Sequence, residues 1–381
     1  MSMFVTESSR MKRSFAYKSA MSLLAISLAS SCAVAFAGDD TDAMIEKTNR
    51  MLKDNRYKQA EQMLREELRT SPGNARLHMV LGNVLAAQSA FLPPQQHKQV
   101  EDLAETAILE EQQALKLDPK LFGAHVILGK IYANQHKREE AIAEFKQACA
   151  MKPTSYNAHL DLGIACLTAG KVDDAIDAYK KATTNKPEQP EAHMKLAILL
   201  SKRGKTQEAL TEAAEAVKLA PKEVETYIAQ GNIMLEAGDA ASSIEPFKTA
   251  LSMAKNHPNA LSGYGLALVR KDPAQLNQGI EYQRKALATS GGAFLPAYVR
   301  LAEFLQSSGK TTEAEDQYKK AMKVSPDDPG VGTAYGKFLE SAGRKDDART
   351  ALKKVLEKSP NFKPASDALA KLDQPGDSKT K

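Results

Sequence analysis

From residue 41 onward, apolar residues recur three and four apart in short blocks, the spacing of amphipathic helices, and the blocks are separated by breaks marked with Gly or Pro. The block 156–187 is representative. Leu160, Ile164 and Leu167 stand at helical spacing, and Gly170 follows them. Glycine ends helices because it takes the left-handed conformation without a Cβ clash. A second helix is predicted through Ala175, Ile176, Tyr179 and Ala182. Pro187 stands beyond its end, where a helix cannot continue.

The blocks repeat. Pro119, Pro153, Pro187 and Pro221 are each 34 residues apart, and so are Pro326 and Pro360. Ala148, Ala182, Ala216 and Ala250 form a second ladder with the same step, and Ala141, Ala175 and Ala209 a third. Gly129 and Gly163 begin a fourth, continued by Ala197 and Gly231. Four ladders with one period predict a chain of helix–turn–helix units, none of which can bury its own apolar faces. Such units stack on their neighbours to build one continuous core.

On this register nine units run from residue 41 to 360. The first, 41–74, departs from the pattern as an end repeat does. In the second, Pro72 to Pro119 spans 47 residues, so 13 are extra; they fall near 89–102 and include Phe91-Leu92-Pro93-Pro94. The seventh, 260–294, is degenerate, with Lys271-Asp272-Pro273 where a turn glycine is usual. Residues 361–372 read as a capping helix and 373–381 as a polar tail. The expected fold class is all-α, an α–α superhelix, with turns near Gly170, Gly204, Gly238, Gly309 and Gly343.

The first 37 residues read differently. Arg10, Lys12, Arg13 and Lys18 precede an apolar, small-residue stretch over 21–37 that closes on Ala35-Phe36-Ala37. This is the layout of a secretory signal peptide, with cleavage expected before Gly38. Two rival readings stay open. Leu28-Ala29-Ser30-Ser31-Cys32 is a degenerate lipobox in which Cys32 would carry the lipid, and the stretch could also remain as an uncleaved anchor. Each reading takes the array at 38–360 out of the cytoplasm, to the periplasm of a bacterial envelope or beyond.

Charge then narrows the partners. The chain carries +5 overall, but without residues 1–37 it holds 48 basic and 46 acidic side chains, too balanced for a nucleic-acid or polybasic membrane surface. Of three cysteines, Cys149 and Cys166 fall on faces expected to be buried, and no CxxC occurs. There is no HExxH, no G-x-S-x-G and no Walker loop, so neither an enzyme nor a cofactor is expected.

The residues on the ladders resemble the tetratricopeptide-repeat family. Its Leu-Gly pair is matched by Leu81-Gly82, Leu128-Gly129 and Leu162-Gly163, and its first-helix Tyr by Tyr132. Its second-helix Ala is matched by Ala141, Ala175, Ala209, Ala314 and Ala348, and the aromatic four residues later by Phe145, Tyr179, Phe247 and Tyr318. The resemblance is strongest over 122–254 and good again over 295–360.

It implies a concave groove lined by the first helices. Carried over slot by slot, the lining is Val126 and Lys130, then Asn157, Leu160, Ile164 and Leu167, then Met194 and Ile198, then Ile228, Asn232 and Leu235, then Tyr264 and Leu268. That stripe is apolar for a surface, and exposed apolar patches mark partner sites. Asn83 and Asn232 occupy one slot of the family's carboxylate clamp without its other members, so capture of a C-terminal carboxylate is not expected. A protein or peptide segment is the expected partner. The alternatives are a homo-oligomerising envelope protein, or an adaptor subunit of an enzyme or secretion complex such as a glycosyltransferase or a pilus assembly machine.

His78, His125, His159 and His193 share one slot of successive units. The pattern suggests metal, but equivalent slots lie a repeat apart, too far to share an ion with ligand distances near ~2.1 Å. The slot is expected to serve packing between helices. Gly263-Tyr264-Gly265 lacks both the third glycine and the preceding strand of a dinucleotide loop.

Overall fold

The computed structural model describes residues 40–373. The signal-like segment with Cys32, and the tail after Asp373, lie outside the described residues. Among those described, every regular element is helical. Nine antiparallel pairs follow one another: α1 (Asp40–Lys53) with α2 (Tyr57–Thr70), α3 (Ala75–Phe91) with α4 (His97–Leu117), α5 (Phe122–Asn134) with α6 (Arg138–Met151), α7 (Tyr156–Thr168) with α8 (Val172–Asn185), α9 (Pro190–Lys202) with α10 (Thr206–Leu219), α11 (Val224–Glu236) with α12 (Ala240–Met253), α13 (Pro258–Lys271) with α14 (Leu276–Thr289), α15 (Leu295–Ser307) with α16 (Thr311–Val324), and α17 (Pro329–Ser341) with α18 (Lys345–Lys358). A last helix, α19 (Lys363–Asp373), packs on α17 and α18. The described residues divide into two compact units, with the boundary between Ala192 and His193, inside α9.

One hydrogen-bond pattern closes almost every first helix. At Gly170 the chain turns left-handed with φ +77°, and Lys171 N–H returns to the Cys166 carbonyl at 2.8 Å. The same bond, from the residue after the turn to the carbonyl five residues back, recurs after Gly204, Gly238, Gly309 and Gly343, whose φ values run from +72° to +83°. It satisfies carbonyls that the helix end would otherwise leave open. Two repeats make the turn without glycine. Asn55 (φ +58°) and His136 (φ +59°) hold the left-handed position, with Arg56 and Lys137 making the returning bond. The seventh repeat solves the problem differently. Asp272 accepts from Ala274 N–H and opens a short 3-10 turn at Pro273–Gln275.

The extra residues of the second repeat are taken up mainly as helix. α3 has 17 residues and α4 has 21, against 13 and 14 in the repeat that follows. Phe91, at the end of α3, lies 4.9 Å from the Tyr57 ring of α2.

The cores within each unit rest on two slots of the second helix. The alanine slot is fully buried at Ala60, Ala107, Ala175 and Ala209, and again at Ala314 and Ala348. Four residues on, Leu64, Phe145, Tyr179, Phe247, Tyr318 and Leu352 are buried as well. Opposite Phe145, Tyr179, Phe247 and Leu352, the first helix offers glycine, at Gly129, Gly163, Gly231 and Gly336. A Cβ at Gly129 would stand 2.7 Å from the Phe145 ring, and one at Gly231 would stand 2.9 Å from Phe247. Backbone of one helix and ring of the other are thus in direct contact, which brings the paired helices close.

Candidate partner-binding groove

The groove-lining slots are placed by the first helix of each repeat, and they differ in how much side chain they leave for a partner. On α7, Ile164 and Leu167 keep 38% and 39% of their surface exposed, and Asn157 is exposed near the start of the same helix. Residues three apart share a helical face, so Ile164 and Leu167 form a continuous apolar spot. Leu160, on the same side, is buried.

On α5 the structure withdraws the slots from solvent. Val126 packs with Ala148 and Cys149 of α6 and Ala158 of α7. Lys130 is buried, with its Nζ 3.4 Å from Asp161 Oδ2. Burial pushes the Asp161 carboxyl up, against the pull of Lys130. Both slots therefore serve the contact between neighbouring repeats and offer little surface.

In the second unit, Met194, Ile198 and Asn232 are half-buried, while Ile228 and Leu235 join the core of α11, α12 and α13. Tyr264 meets the ring of Tyr282 edge-on at 5.0 Å and is thereby turned toward its paired helix α14. Leu268 is half-buried. The seventh repeat keeps the 34-residue register in its first helix, so the place equivalent to Ile228 is Ser262, two residues before Tyr264. Its first helix offers Ser262, whose hydroxyl donates to Gln283 Oε1 at 2.5 Å and accepts from Arg300 Nη1 at 2.7 Å.

The apolar stripe read from the sequence stopped at Leu268 and so missed a cavity of about 520 Å³ between α15, α17 and α19. Glu303, Gln306, Thr333, Lys337 and Phe362 border it. Gln306 Nε2 donates to Ser341 Oγ at 2.6 Å across its wall. Burial raises the Glu303 carboxyl, opposed by Arg300 and Arg270. A second cavity, about 370 Å³, lies against α16, α17 and α18 with Met322, Leu339 and Val355 in its wall. Most charges at its rim are engaged. Arg344 binds Glu315 and Asp347, and Lys358 binds Asp327.

The histidine slot is a hydrogen-bonding position between paired helices. Nδ1 of His78, His125 and His193 lies 2.7, 2.6 and 2.6 Å from Glu110, Glu144 and Glu212. His159 has Ala178 at the corresponding place, and its Nε2 bonds the Pro153 carbonyl at 2.9 Å. The signal was present in the sequence, since Glu110, Glu144 and Glu212 stand at multiples of 34. The cysteines of the first unit are buried free thiols, and burial pushes Cys149 up to about 11.

Comparison with known proteins bears on what these helix pairs are. Sequence profiles of the tetratricopeptide repeat match residues 128–190, and 167–233 with 305–372. No curated protein matches the chain. A solved tetratricopeptide repeat protein from Parabacteroides merdae ATCC 43184 superposes with a TM-score of 0.57 at 16% identity, covering 66% of this chain and 98% of its own. The APC/C hetero-tetramer Cut9–Hcn1 gives 0.50 at 14% identity, covering 96% and 82%. YrrB, described as a TPR protein with an unusual peptide-binding site, gives 0.44 at 18% identity over 52% and 95%. The first two share this fold. The matched profiles, the common fold and the recurring glycine–ring contacts identify residues 128–233 and 305–372 as tetratricopeptide repeats.

Proposed function

We propose that the protein is a non-catalytic interaction scaffold, exported from the cytoplasm, that holds a partner protein segment against the first-helix face of its repeats. The observation that carries this reading is the pair Ile164 and Leu167. In a helix whose other large apolar side chains are buried or half-buried, these two remain exposed side by side. Apolar surface left in water on one face is stabilised by a partner that covers it. An amphipathic segment with anchors three or four residues apart fits that geometry.

Charge on these two side chains separates binding from folding, because solvent-facing positions tolerate it and core positions do not. The double change Ile164→Asp and Leu167→Asp is expected to abolish recovery of the partner in a crosslinked pull-down from the native envelope. Helicity and melting should stay near wild type. A folded double variant that still recovers every partner would overturn the reading.

Export is supported by the basic segment, the apolar stretch and the Ala35-Phe36-Ala37 signal. The mature chain is expected to begin at Gly38. Mass-spectrometric sequencing that finds an acylated Cys32 at the N-terminus would replace this with a lipid-anchored form, and an intact Met1 with an uncleaved anchor.

A further inference from the structure

The buried slot four residues after the second-helix alanine position is filled by Leu64, Phe145, Tyr179, Phe247, Tyr318 and Leu352 in six of the repeats. In the second repeat it holds Glu111. In the seventh it holds Gln283, which accepts from the Ser262 hydroxyl and donates to the Ser262 carbonyl at 3.0 Å. Glu111 has no such support. It is completely buried, neither carboxyl oxygen has a hydrogen-bond partner, and Oε1 lies against the position a Cβ on Gly82 would take.

The charged groups on the elements around α4 are committed elsewhere. On α3, His78 is held by Glu110 and Arg76 by Asp42. From α2, Arg65 reaches Glu110 at 4.0 Å. On α5, His125 is bound to Glu144 and Lys130 lies beside Asp161. The 3-10 turn Pro94–Gln96 carries no charge. The charge that does act on Glu111 is that of its neighbour Glu110, which is of the same sign.

A carboxylate in this place is shut off from bulk solvent and has no countercharge beside it, and burying it is far more costly than burying the neutral acid. We propose that Glu111 makes the α3–α4 pair a proton-locked joint, closed while the carboxyl is neutral and loosened as it ionises. Burial first, and Glu110 second, raise its proton affinity well above the ordinary value near 4.5. The direction of the pH effect follows. Below the ordinary value, open and closed forms both hold the proton, and pH has no leverage. As pH rises beyond it, the open form loses its proton first, so closure weakens until the closed form also ionises. One proton limits the slope to about tenfold per pH unit.

Hydrogen exchange on the full chain tests this, read between about pH 5 and 9 and corrected for the intrinsic pH dependence of exchange. Protection of α3–α4 is expected to fall with rising pH relative to α7–α8, where Tyr179 fills the slot. Glu111→Gln and Glu111→Leu should both abolish that relative fall; the second places at 111 the residue found at 64 and 352. A wild-type ratio that does not change with pH would overturn the proposal. So would a fall that persists in either folded variant, since another group would then be titrating.

Discussion

Phe247→Ala should cost on the order of 3–5 kcal/mol of local stability, toward the upper end of that range. The ring has no exposed surface and is clasped by two glycines. A Cβ on Gly231 of α11 would stand 2.9 Å from it, and a Cβ on Gly263 of α13 would come closer still. A large-to-small change loses the transfer free energy of the ring, and the cavity left behind costs more when its walls cannot relax. Here the walls are backbone, with no side chain at 231 or 263 to swing into the void. Long repeat arrays do not unfold as one two-state unit, so a global melting curve is the wrong readout. Hydrogen exchange should show protection across α11–α13 falling by at least about a hundredfold, since every ~1.4 kcal/mol is a factor of ten. Protection in α5–α6 should hardly change, because contacts in such arrays run between neighbours. A loss below about tenfold in α11–α13 would contradict the clasp.

How legible this architecture is depends on what each slot requires. The turns after Gly170, Gly204, Gly238, Gly309 and Gly343 were readable because a left-handed residue after a helix end selects glycine almost alone. The same turn at His136 and Asn55 was not, because those residues adopt that conformation only when the surrounding helices impose it. The alanine and aromatic slots were readable from the 34-residue period. Their exceptions carry the local detail. Glu111 and Gln283 occupy one slot, yet only Gln283 is bonded, and that depends on Ser262, a residue of a different helix. The groove stripe was the least legible part. Helical spacing assigns Val126 and Ile164 to the same side of equivalent helices, but only packing decides that Val126 is enclosed by α6 and α7 while Ile164 keeps its surface. Tyr264 shows the second source of error. α11 and α13 begin 34 residues apart, so the places equivalent to Ile228 and Asn232 are Ser262 and Leu266, and Tyr264 and Leu268 stand two residues past them.

The glycine–ring contact also predicts a strong coupling within α7–α8. A Cβ on Gly163 would lie within 2.8 Å of three atoms of the Tyr179 ring, closer than non-bonded carbons approach. That ring is fully buried and has no room to retreat. Gly163→Val brings in the Cβ and two further methyls, so it should destabilise the pair by about 3 kcal/mol, the upper end of the overpacking range. The modest gain from replacing a helical glycine, roughly 0.5 kcal/mol, offsets little of this. The chain itself contains the compensated arrangement: in the fifth repeat the two slots hold Ala197 and Ala213, 0% and 2% exposed. With Tyr179→Ala, the space that the introduced valine needs becomes free. In that background Gly163→Val should be neutral or stabilising, and a double-mutant cycle should return a coupling at the high end of about 0.5–3 kcal/mol. Tyr179→Phe separates the ring from its hydroxyl. The buried hydroxyl has no hydrogen-bond partner, so its removal should not weaken the pair. Hydrogen exchange of α7 and α8 in the four forms of the cycle reads the result. Equal costs of Gly163→Val in the wild-type and Tyr179→Ala backgrounds would show that the ring does not hold the helices at this separation.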